Sequence, residues 1–185
     1  MKYVRKKMQA KLNELLLNEK LKDVFYYSEY PGFESFNSLS GDVQEVYMSP
    51  ILLETHSGKF ISFVSSDYLP ILGYTTGIGI SDKIKEPYER PSHVNEERWN
   101  PFRDAKITKL SIIESSETVR DERVTLPFGV KLEFGVENTL FIFDLTVENF
   151  SEKENRYEFC RNGETTIFFS EDVTVKQNVF SLFDH

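Results

Sequence analysis

Three times along this chain two strand-like runs face each other across a short turn, and that repetition constrains the fold more than any other feature. Residues 51–55 meet residues 60–63 across His56-Ser57-Gly58-Lys59. Residues 130–134 meet 140–143 across the turn 135–139, and 157–160 meet 165–169 across Arg161-Asn162-Gly163-Glu164. Asn-Gly is the strongest of these signals, because both residues tolerate the positive φ that a type I′ turn requires. The third hairpin is therefore expected to put Tyr157, Phe159 and Phe168 on one buried face. A mainly antiparallel β protein follows.

Composition agrees with that reading. The chain holds 16 Phe and 9 Tyr against a single Trp, and such rings suit pleated, half-buried surfaces. With 39% hydrophobic and 28% charged residues it reads as a globular chain rather than a disordered one. Its 185 residues suit one domain, residues 1–185, with a core large enough to need neither metal nor disulfide. The lone Cys160 excludes an internal disulfide framework and a multi-cysteine zinc site. In a strand it reads as a packed thiol. The apolar runs fall well short of the ~20 residues that span a bilayer, and Leu15-Leu16-Leu17 is too short for a secretory leader. The expectation is a cytoplasmic protein with no membrane contact and no cofactor.

Charge is unevenly spread. The net charge is −8, yet residues 1–22 carry a local +5, so the remainder carries −13. An acidic body repels nucleic acid phosphates and favours a basic protein partner. The simpler consequence of the same acidity is solubility.

Along the chain, Val4, Met8, Leu12, Leu15 and Leu16 recur at helical steps, and Leu17 and Leu21 widen the stripe. The spacing predicts a helix over residues 2–22 within an N-terminal segment 1–25, docked through Leu12, Leu15 and Leu16. Residues 41–80 and 107–175 read as β-rich. In the first, strands fall at 43–48, 51–55 and 59–65, and the glycine-spaced stretch 73–80 reads as a bent strand, since it lacks the Gly-Lys-Ser/Thr ending of a phosphate loop. In the second, strands fall at 107–113, 118–126, 130–134, 139–147, 156–160 and 165–170, with turns at Pro127-Phe128-Gly129 and 149–154. The first two hairpins share an apolar-Leu-Glu strand and a preceding strand, a pattern that fits two related halves as well as it fits two unrelated hairpins. The expected fold class is α+β: an N-terminal helix packed on a mainly antiparallel β sandwich or a strongly curved, barrel-like sheet.

The long loop 81–106 interrupts the strands with three prolines and many charges. Loops this long in compact folds are often functional. Tyr88, Trp99 and Phe102 are interleaved there with Arg90, Arg98, Arg103 and the acids Glu96, Glu97 and Asp104. Aromatic and Arg side chains are the types enriched at interface hot spots. Tyr88, Glu96, Glu97, Trp99 and Asp104 are therefore the candidate partner-binding residues. The competing expectation is that Trp99 and Phe102 pin the loop to the sheet. His56, His93 and His185 are the only histidines. His93, followed by Glu96 and Glu97, is the one seat for His-based catalysis or metal binding, but no further ligand or nucleophile completes a site.

The stretch Gly41-Asp-Val-Gln-Glu-Val-Tyr47 followed by residues 52–63, Leu-Leu-Glu-Thr-His-Ser-Gly-Lys-Phe-Ile-Ser-Phe, resembles small bacterial β-rich domains of uncharacterised or toxin-immunity type. That resemblance implies stoichiometric inhibition of a partner toxin by surface complementarity, and assigns no residue a role. The expected function is a non-enzymatic binding protein, in its sharpest form an immunity-type inhibitor of a basic toxin. Two rivals stand beside it: a binder of small apolar ligands using an aromatic-lined curved sheet, and an enzyme centred on His93.

Overall fold

Met8, Leu12 and Leu16 recur every four residues, and in a computed structural model they form the buried stripe of an N-terminal helix, α1 (Lys2–Leu16). The structure describes residues 2–26, 43–47, 51–67, 76–83, 96–119, 121–151 and 156–169. Helix α1 stops short of the expected residue 22. Asn18 takes a left-handed conformation (φ 67°), which breaks the helix as a polar residue of low αL cost can. Lys59 then covers the exposed helix end, donating to the Glu14 carbonyl (3.1 Å) and pairing with Glu19 (2.8 Å). Leu21 belongs instead to a strand, β1 (Leu21–Tyr26), and is fully buried there.

The remaining strands are β2 (Val43–Tyr47), β3 (Ile51–Thr55), β4 (Phe60–Asp67), β5 (Thr76–Ser81), β6 (Ile107–Val119), β7 (Glu122–Phe134), β8 (Asn138–Ser151) and β9 (Arg156–Phe168), with a one-turn helix α2 (Glu96–Trp99) between β5 and β6. They form two antiparallel sheets, ordered β1-β3-β4-β5 and β2-β9-β8-β7-β6. The chain is mostly β, and neither sheet closes on itself among the described residues. One core serves both sheets and the helix. It joins Leu12 and Leu16 to Leu53, Ile61, Phe63 and Ile78 of the first sheet and to Ile112, Val130, Leu132 and Ile142 of the second. The opposite face of the second sheet carries its own aromatic layer. There Phe143 meets Phe128 (5.1 Å), Phe168 (5.6 Å) and Phe141 (5.9 Å).

Two of the three expected hairpins form. β3 pairs with β4 around a turn holding Gly58 at φ 80°, and β7 pairs with β8 around Gly135 at φ 66°. The third does not. Residues 156–168 run as the single strand β9, and the register against β8 passes from Asp144↔Thr165 to Thr146↔Cys160. Residues 161–164 thus lie opposite Leu145 alone, so Asn162-Gly163 makes a bulge inside a strand rather than a turn. A long partner strand has overridden a local turn preference. Thr166 and Phe168 pair with Phe143 and Phe141 of β8 rather than with residues of their own strand.

The turn expected at Pro127-Phe128-Gly129 is likewise interior to β7. The register against β6 slips there, from Ile113↔Gly129 to Glu114↔Pro127, and such a bulge is where a strand tolerates proline. Of the turn expected at 149–154, residues 149–151 belong to β8, which continues to Ser151; the rest lies outside the described residues. The suggestion of two related halves also fails in topology. β2 pairs with β9 in the second sheet, whereas its counterpart β6 pairs with β7 of its own hairpin. The glycine-spaced stretch is a strand over β5, with residues 73–75 outside the described residues.

The two sheets meet at a hydrogen-bonded corner. The residues that leave α1 bond to the start of β6: Asn18 N–H to Ile107 O (2.9 Å), Ile107 N–H to Glu19 O (2.9 Å) and Leu21 N–H to Ala105 O (3.1 Å). On their other side His56 N–H donates to Lys20 O (3.0 Å). Edge strands β1 and β6 therefore cover one another here, joined by the Lys20↔Lys106 bridge, which removes a stretch of open sheet edge.

Candidate functional site

Trp99 ends α2, and its indole is wholly buried. It packs edge-on against Phe102 (5.9 Å, 67°) and Phe169 (5.0 Å, 79°), and Phe102 continues the stack to Phe134 (5.1 Å). Of the two expectations for Trp99, this geometry is that of a pin holding residues 96–105 on the core; the indole offers a partner no surface as the chain stands. Arg103 extends the same fastening by donating to Asp23 Oδ1 (2.8 Å).

The acids of this segment point the other way. Glu97 and Asp104 are exposed, and Asp104, itself in a left-handed conformation (φ 60°), lies 2.6 Å from His56 Nε2. Glu96 opens α2. Tyr88 and His93 lie outside the described residues. The structure thus brings Glu97, Trp99 and Asp104 onto one short segment, with the ring inside and the carboxylates outside. Among the described residues, no group of three His, Cys, Asp or Glu side chains is placed to hold a metal ion. No helix among them is long and apolar enough to cross a membrane.

A second place went unread in the sequence: a half-open cleft of about 830 Å³ between α1 and the outer part of the β6–β7 hairpin. Its origin is a change of chemistry along one strand face. Leu110 and Ile112 of β6 are buried under α1, but the next residues on that face are Glu114 and Ser116. Where the apolar contact ends, helix and hairpin part. Arg5, Lys6 and Asn13 line the helix side, and Glu114, Arg123 and Thr125 the strand side.

Two fastenings set the width of the cleft. Arg5 Nη1 bonds Glu114 Oε2 across its mouth at 2.8 Å. At its floor the Gln9 carboxamide donates to Leu110 O (3.2 Å) and accepts from Ile112 N–H (3.3 Å). That pair of bonds is what a neighbouring strand residue would make, so Gln9 stands in for a strand along the β6 edge. Ser116 and Thr125 share a hydroxyl hydrogen bond across the strands (2.9 Å).

The lining holds three cations against one carboxylate. Lys6 and Arg123 are exposed and enter no ion pair or side-chain hydrogen bond with the described residues. Lys6 and Arg123 belong to no motif in the sequence. The available signal was the switch from Leu110 and Ile112 to Glu114 and Ser116 at constant two-residue spacing, which marks where the core ends.

Two carboxylates outside both places are shifted. Glu19 is held below its ordinary value by hydrogen bonds from Lys59 and Ser57, which outweigh its burial. For Glu133, burial raises the carboxyl, but bonds from Lys109 and Lys131, each at 3.1 Å, win and lower it. The fully buried Asp144 lies on β8 opposite the buried Thr165.

No family model matches this chain, and neither the curated proteins nor the solved structures contain a match to it.

Proposed function

We propose that this protein works by binding a basic protein partner, in its sharpest form as an immunity-type inhibitor of a toxin, with the outer surface of the α2 segment as the point of contact. One observation carries the reading: Glu97 and Asp104 are exposed on a segment whose inner side is fixed to the core by Trp99 and Phe102. Groups already held in place lose little freedom on binding. Their sign matches a chain of net charge −8, which steers a basic partner toward them. Trp99 acts here as the support of the surface rather than as its anchor. The same reading takes the two sheets as stacked face to face in a sandwich, supported by the single core that both supply.

The test is direct. Each gene flanking this one is expressed in a sensitive host with and without this chain. A neighbour whose toxicity is relieved by the wild type, and not by the E97K/D104K double variant, is the expected result. Relief that survives the double variant removes the α2 segment from the interface, and absence of any toxic neighbour removes the immunity reading.

A further inference from the structure

We propose that the cleft between α1 and the β6–β7 hairpin binds a small hydroxyl-bearing molecule that carries a phosphate monoester. This is a different surface from the α2 segment, and of opposite sign. The cleft is large enough for such a molecule, at about 830 Å³, within the range of small-ligand sites. Its lining supplies cations in excess, Arg5, Lys6 and Arg123 against Glu114, on a chain whose net charge is −8. A local reversal of sign in a concave site concentrates anions from solution.

The cations divide into two roles. Arg5 is committed through one nitrogen to Glu114, but a guanidinium has five N–H donors and the bond fixes the direction of the rest. Lys6, from the helix, and Arg123, from β7, are not engaged by other described groups and approach the cleft from opposite walls. Between them a dianionic phosphate would receive charge-assisted hydrogen bonds from both sides. The neutral groups Asn13 and Thr125, with the free oxygen of Glu114, suit hydroxyls on the body of the ligand.

Glu114 also decides against polyanions. A nucleic acid or an anionic membrane would press repeated phosphates on this carboxylate and on the acidic remainder of the chain. A single terminal phosphate avoids it. The walls are preset, because the Gln9 contacts to Leu110 and Ile112 and the Arg5–Glu114 pair fix the helix against the strand before any ligand arrives.

The experiment is a titration of the full chain by isothermal calorimetry and amide chemical shifts, at constant ionic strength. The probes are inorganic phosphate, ribose 5-phosphate, ribose and succinate. Saturable binding of phosphate, tighter binding of ribose 5-phosphate and none of ribose is the expected order, with amide shifts confined to α1 and residues 114–125. Lys6→Gln and Arg123→Gln should each weaken ribose 5-phosphate by about tenfold, the worth of a charge-assisted bond. Both side chains are exposed, so melting temperature in the absence of ligand should be unchanged and serves as the fold check. Three results overturn the proposal: no saturable phosphate or ribose 5-phosphate binding up to about 10 mM, equal binding by the folded variants, or succinate binding more tightly than phosphate.

Discussion

Replacing Trp99 with Ala should strongly destabilise the protein. The indole is fully buried, and a ring of this size removes about 250 Å² from water. At about 25 cal/mol per Å² that is roughly 6 kcal/mol, an upper bound because real unfolded chains already bury part of their apolar surface. Truncations of buried aromatics in proteins cost about 3–5 kcal/mol. The two edge-on contacts with Phe102 and Phe169 place Trp99 toward the top of that range, so about 4–5 kcal/mol is expected. Domains of ordinary stability have about 5–15 kcal/mol in total. The assay is urea unfolding followed by far-ultraviolet circular dichroism, since Trp99 is the sole tryptophan and its removal takes away the tryptophan fluorescence signal. Trp99→Phe keeps a ring in the stack and should lose about half as much. A Trp99→Ala protein within about 1 kcal/mol of wild type would refute the argument and return the indole to the candidate interface.

Three other outcomes follow from described contacts. At Gly129 a Cβ would overlap the Phe143 ring and come within 2.9 Å of Ile142 O, so Gly129→Ala should cost about 1–3 kcal/mol by overpacking, read from the urea midpoint. Gln9→Ala frees the Leu110 carbonyl and Ile112 amide at the β6 edge, which should lower stability by about 1 kcal/mol and produce concentration-dependent self-association in sedimentation; a variant that stays monomeric would show that the edge is guarded otherwise. Because Glu19 is lowered in the folded state, its contribution is complete above the ordinary glutamate value of 4.5 and is lost as pH falls below that value and through the lower folded one. Glu19→Gln should therefore flatten the acid limb of the stability curve while leaving its slope near neutrality unchanged.

What could be read in the sequence was whatever depends on neighbours a few residues away. The β3–β4 and β7–β8 hairpins pair adjacent runs across turns of residues 56–59 and 135–137, so alternation and a glycine were enough. The end of α1 at Asn18 is of the same local kind, but the apolar Leu17 and Leu21 prolonged the helical pattern past it. Asn162-Gly163 misled because its strand had a better partner in β8 than in itself. The cleft was out of reach for another reason. Arg5 and Glu114 are separated by 109 positions, and no periodicity within α1 reveals which strand will stand opposite its basic face. Trp99 carried both readings equally, since an aromatic in a charged loop has the same composition whether its ring turns in or out.

The corner where residues 18–21 meet 104–107 bears on how the molecule reaches its shape. Arg103 and Asp23, bonded there, are 80 residues apart in the chain. Drawing such a length into a loop costs about 4 kcal/mol of chain entropy beyond a constant, and the bonds at the corner return it only once both sheets have begun to form. The hairpins β3–β4, β6–β7 and β7–β8 can each assemble locally and early, whereas the corner must wait for them. Refolding should accordingly be governed by this one closure, on the millisecond-to-second scale typical of non-local β topologies. Weakening it with Arg103→Ala should then slow folding more than it speeds unfolding.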